Sequence, residues 1–217
     1  MKLQKLGGYA ALASICAYLA VVLIFTLTLD HFGYLNDPVK MMEAMSAEAG
    51  NFYAGYLLMA ASYIFSLILA MALHERMQSS APYLTRLLVI AAAAAVVMQI
   101  TETVIFIRQA ATIAQAQDIS AWKVFTAITD GLHFTAGHLC AWTVLLSGCA
   151  IIRTRALSPT LGWLLLITGI LWLPRFAIPQ LGLFPALLSC VGGIWTGIAL
   201  LRQKQPQSVL EGMAASK

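Results

Sequence analysis

Charge is what this sequence has least of: in 217 residues the 13 Lys and Arg and 9 Asp and Glu make up 10%, against 60% hydrophobic residues. With a mean hydropathy of +0.82, the chain has too little polar surface to coat a water-soluble globule, which excludes a soluble domain and makes the lipid bilayer its expected surroundings. Cysteine is also scarce. Cys16, Cys140, Cys149 and Cys190 form no CxxC pair and all fall in apolar stretches, where thiols pack as small apolar groups, so no disulfide framework, zinc site or iron–sulfur site is implied. No GxSxG, Walker loop or GxGxxG occurs, which leaves serine hydrolase, nucleotidase and dinucleotide enzyme without support. The net charge of +4 calls for no nucleic-acid partner, because the basic residues sit at the ends of apolar runs, facing an anionic leaflet, rather than along one face.

What is present is a series of long apolar runs. A spanning helix needs about 20 apolar residues, and the qualifying windows are residues 6–29, 52–73, 87–107, 124–152, 159–174 and 183–201. The expected fold is therefore all-α: a polytopic membrane bundle of six transmembrane helices over residues 1–202, followed by a disordered cytoplasmic tail over residues 203–217 that is polar and interrupted by Pro206. Lys and Arg are retained on the cytoplasmic side. An N-inside arrangement puts Lys2, Lys5, Arg76, Arg86, Arg153, Arg155, Arg202, Lys204 and Lys217 inside, against Lys40, Arg108, Lys123 and Arg175 outside, with both termini cytoplasmic. The first run exceeds the about 7 to 15 residues of a secretory signal core and reads as a retained helix.

The connections are short, with one exception. Between Asp30 and Gly50, Asp37 can cap a helix, Pro38 suits its first turn and Gly50 can end it. Met41, Met42 and Met45 then share one face, which predicts a short amphipathic helix on the outer interface with Glu43 and Glu48 in water. Shielding the bundle is its default meaning, a ligand lid the sharper one. Between the last two spans the chain is apolar but broken by Pro174, Pro179 and Pro185. Such backbone must be buried against protein or line a cavity. Gly193 and Gly197 form a GxxxG pair, which permits a homo-oligomer contact but by default means packing.

Against this apolar background the ionisable residues inside the runs stand out, since each charge costs roughly 2.5 to 3.5 kcal/mol on insertion. Asp130, His133 and His138 lie in the fourth run and Glu102 in the third, with Gln99 three residues before it. Measured from residue 87, Glu102 lies about 22 Å up its span; measured from residue 152, His138 lies about 21 Å up the next. Equal depth pairs His138 with Glu102, with Arg175 as a further partner about 25 Å up the fifth span, while Asp130 and His133, at i and i+3, form a separate pair nearer the outer surface.

Three readings of this layer follow. It is a hydrogen-bonded knot that fixes helix packing; or it lines an outward-facing pocket for a small polar or amphipathic ligand, with histidines that change charge near neutral pH; or His133, His138 and an acid hold a metal. The last is weakened by the i, i+5 spacing of the histidines, about 140° apart rather than on one face as in HExxH. Haem ligation has no facing pair at matching depth, since His31 and His74 lie at opposite edges. No cofactor, catalytic residue or metal ligand is assigned, and the ligand-site reading rests on Gln99, Glu102, Asp130, His133, His138 and Arg175.

Three stretches carry a family resemblance. Leu157, Pro159, Leu161 and Gly162, within R-T-R-A-L-S-P-T-L-G-W, stand where a Leu-Pro-x-x-Leu-Gly-like entry into the fifth span is expected, with Ser158 interposed; Gln99 and Glu102 correspond to an Arg-x-x-Glu; Trp195 and Gly197 match a Trp-and-Gly pattern in the last helix. In these the chain resembles the bacterial integral membrane family of domain of unknown function 4386. The resemblance implies a six-helix, multi-pass protein of the bacterial inner membrane and supplies no reaction. Gln in place of Arg leaves Glu102 without that pattern's partner.

Overall fold

The computed structural model describes the backbone of residues 3–28, 37–176 and 183–202, and the side chains of these except residues 27, 28, 175, 176 and 183. The described residues form six helices: α1 (Leu3–Leu23, continued by a π turn, Ile24–Thr28), α2 (Pro38–Met77), α3 (Pro82–Gln115), α4 (Ile119–Thr154), α5 (Pro159–Trp172, continued by a 3-10 turn, Leu173–Phe176) and α6 (Leu183–Arg202). No strand occurs among them. Five are long and apolar enough to cross a membrane, making this a multi-pass membrane protein. The exception is α5, whose 14 residues reach about 21 Å, short of a hydrocarbon core of about 30 Å. The expected tail at 203–217 and the proline-broken outer connection at 177–182 lie outside the described residues.

Local chemistry explains the helix starts. Asp37 Oδ1 accepts from the backbone N–H groups of Val39 at 3.0 Å and Lys40 at 3.3 Å, and Asp118 Oδ1 from that of Ala121 at 2.9 Å, each satisfying donors that a helix leaves open. Pro38, Pro82 and Pro159 occupy first-turn positions, where a missing N–H costs nothing. α4 ends at Thr154 and is capped by Arg155, in left-handed conformation at φ 51.

The outer amphipathic helix differs from expectation in one respect. Its end lies close to the one expected: Pro38–Met77 is two helical segments that meet at a kink at Glu48 (φ −130, ψ 34), two residues before Gly50, with no loop between them. Its methionine face, however, does not lie on a bilayer interface. Met42 and Met45 are buried with Phe52, Phe106, Ala110, Ala114, Trp122 and Phe125 in a core at this end of the bundle. Glu43 and Glu48 are exposed, as expected.

Each helix packs on the next in chain order, α6 packs back on α1, and α2 also touches α4. The result is a closed ring. At the end opposite the methionine core, a second core joins Leu73 and Met77 of α2, Leu88 of α3, Ile151 of α4, Leu161 of α5 and Leu200 of α6. Here Arg76 donates Nε (3.1 Å) and Nη2 (2.9 Å) to the Ala156 carbonyl, and Nη1 to Gln4 Oε1 at 3.2 Å, tying three segments together.

Gly193 and Gly197 close the ring. A Cβ at Gly197 would meet the Gly8 carbonyl at 3.0 Å, and one at Gly193 the Ile15 side chain at 2.8 Å. The glycine pair thus serves helix packing within the chain, its default meaning, against α1. Between α1 and α2 a serine knot does similar work: Ser14 Oγ donates to the Ser62 carbonyl at 3.0 Å and Ser62 Oγ to the Ser14 carbonyl at 3.2 Å, with Ser66 Oγ 3.1 Å from Ser14 Oγ.

Candidate functional site

The site grows from one face of α3. Gln99 and Glu102 are one turn apart and almost wholly buried, at 0% and 2% exposure. Gln99 Nε2 donates to Glu102 Oε2 at 2.8 Å. The same oxygen lies 3.3 Å from Nδ1 of His133 on α4, whose side chain is 29% exposed. This contact joins α3 to α4. One turn from His133 towards the outer core, Asp130 is exposed, and Asp130, Glu102 and His133 lie within electrostatic range of one another.

The aromatic part of the outer core roofs this face. Phe106, one turn beyond Glu102, stacks on Tyr56 of α2 with ring centroids 3.8 Å apart. Phe52, Phe125 and Trp122 continue the cluster. Tyr56 lies within range of the charges of both Glu102 and Asp130. Three helices, α2, α3 and α4, therefore enclose the acid.

The pairing is not the one expected. His138 does not meet Glu102; its Nε2 accepts from Trp142 Nε1 on the same helix at 3.2 Å. The depth argument placed the start of the third span at residue 87, whereas α3 begins at Pro82 and α4 ends at Thr154. Counted from these ends, Glu102 stands 20 residues up α3, about 30 Å, and His133 21 residues up α4, about 31 Å, while His138 reaches only about 24 Å. The five residues from 82 to 87 equal the five that separate His133 from His138. Asp130 lies one turn from His133 on α4, but the contact His133 makes is with Glu102 at 3.3 Å, while Asp130 lies within electrostatic range of both. The Arg175 side chain lies outside the described residues.

Tyr56 and Phe106 are site residues that the sequence reading did not single out. Phe106 had a signal, its i+4 spacing from Glu102. Tyr56 had none, because which residue of α2 meets Glu102 depends on how the helices pack.

Gln99 Oε1 is the one buried side-chain nitrogen or oxygen among the described residues without a hydrogen-bond partner. The orientation of the amide follows from its neighbour: facing a carboxylate, it presents N–H and holds its oxygen away. The cluster thus offers acceptors, a carboxylate and a free amide oxygen, with His133 as its one group able to carry positive charge. No group of three His, Cys, Asp or Glu among the described residues is arranged to hold a metal ion. Comparison with protein-family models, curated proteins and solved structures finds no match to the chain.

Proposed function

We propose that the protein binds a small polar ligand at the cluster of Gln99, Glu102 and His133, entered past Asp130, in transport or sensing across a bacterial inner membrane. The proposal includes membership of the family of domain of unknown function 4386, which rests on the sequence resemblance alone.

One observation supports a site over a packing knot: the cluster is buried but incompletely satisfied. Polar contacts that serve only to join helices satisfy their members, as Ser14 and Ser62 do by exchanging hydrogen bonds across α1 and α2. Here the shorter bond, Gln99 to Glu102, stays within α3 and joins nothing. Gln99 Oε1 has no partner, although an unpaired buried polar group costs about 1 to 3 kcal/mol. Retaining such a cost is what a binding site does and a structural contact avoids.

The test is Glu102→Gln, which keeps shape and removes charge. The purified variant in detergent should melt at the temperature of the parent or above it, while growth or uptake that depends on the protein is lost. A fall of about 5 °C or more, on the order of 1 to 2 kcal/mol for a chain this size, would assign Glu102 to packing instead.

A further inference from the structure

The ligand class can be narrowed, resting on the site just proposed. We infer that the cluster takes a small organic cation bearing N–H donors, a primary ammonium or a guanidinium, that bridges Gln99 Oε1 and the Glu102 carboxylate.

Gln99 Nε2 gives one of its two N–H groups to Glu102 Oε2 at 2.8 Å, and the amide oxygen is fully buried and has no partner at all. That oxygen requires a donor. Glu102 supplies negative charge one turn away, Asp130 supplies more at the exposed edge, and among the described residues neither acid has a Lys or Arg within ion-pair distance. A ligand that offers N–H groups and positive charge satisfies both needs at once, and charge-assisted bonds are about twice as strong as neutral ones. A carboxylate or phosphate ligand would add charge of the wrong sign and leave the amide oxygen unpaired.

His133 sets the conditions of binding. Protonated, it is itself the cation beside Glu102, at 3.3 Å, and competes with the ligand. Neutral, it leaves the charge of Glu102 to be met. The ionisable groups that face the pair are Tyr56 from α2, Glu102 from α3 and Asp130 from α4.

The experiment uses the full chain in lipid nanodiscs at pH 8, titrated with methylammonium chloride and monitored by melting temperature. A saturable rise of roughly 5 °C or more is expected. Tetramethylammonium, which carries the charge without donors, and sodium acetate should give none. Gln99→Leu should abolish the rise while the protein still melts cooperatively; if that variant does not fold, Gln99→Met serves in its place. An equal response to tetramethylammonium, or a methylammonium response unchanged in the Gln99 variant, overturns the bridging geometry. A response to acetate or urea that is lost in Glu102→Gln, with none to methylammonium, overturns the cation class but leaves the ligand site standing. Destabilisation of Glu102→Gln removes the site itself.

Discussion

Glycine serves opposite purposes at different positions of this chain. At the α4–α5 seam a Cβ on Gly169 would lie 2.6 Å from the Leu145 backbone nitrogen, and one on Gly148 would lie 2.7 Å from the Gly162 carbonyl. Backbone cannot retreat as a flexible side chain does. Gly169→Ala should therefore destabilise by about 1 to 3 kcal/mol, read as a lower melting temperature in detergent. Gly131, in the interior of α4, has nothing within 4 Å of a built Cβ. Gly131→Ala should raise stability by about 0.5 to 1 kcal/mol in the same assay. The sequence marks both simply as glycines. Glu102 was more legible, because a carboxylate in an apolar run is conspicuous whatever surrounds it. Its partner was not, because a five-residue error in one helix start transfers the contact from His133 to His138.

Among the elements, α2 carries the clearest lesson. Its start was readable from Asp37 and Pro38, its span from the apolar run, and the break between them, at Glu48, lies two residues from the stop that Gly50 suggests; the burial of Met42 and Met45 against α3 and α4 was not readable. That burial makes the outer turn of α2 dependent on its cap. Asp37→Ala removes the acceptor for two backbone N–H groups and should cost about 1 kcal/mol, seen as faster amide exchange confined to the turns before Glu48 while the rest of α2 keeps its protection. Uniform loss of protection along α2 would mean that Glu48 does not separate the two parts. The Ser14–Ser62 knot, by contrast, was invisible beforehand: serines are common in apolar helices, and only the packing of α1 on α2 brings these two together.

For the whole molecule, six apolar windows gave the helix count and the all-helical class, since lipid leaves a spanning segment no other way to satisfy its backbone. The distribution of Lys and Arg predicts that both termini face the cytoplasm. Alkaline phosphatase fused after Lys217 should be inactive, and fused within the connection between α3 and α4, around Gln117, it should be active; the reverse pattern would invert the orientation. Ring closure could not be read from the sequence, because Gly193 and Gly197 look the same whether they meet another copy or the chain's own first helix.

The glycine contact of α1 with α6 also orders events during synthesis. Of the described helices α1 is made before the others, yet the partner for its Gly8 face, α6, is made after them. Until α6 arrives, α1 is held by α2 alone, and the barrel of helices stands open along one side. The same adjacency brings Gly7 and Gly8, at the start of the chain, beside Leu200 and Leu201, at its end. A gene rearranged to begin after the turn at Ser79 and Ser80, with the old ends joined by a flexible linker, would therefore encode the same ring with its opening moved elsewhere.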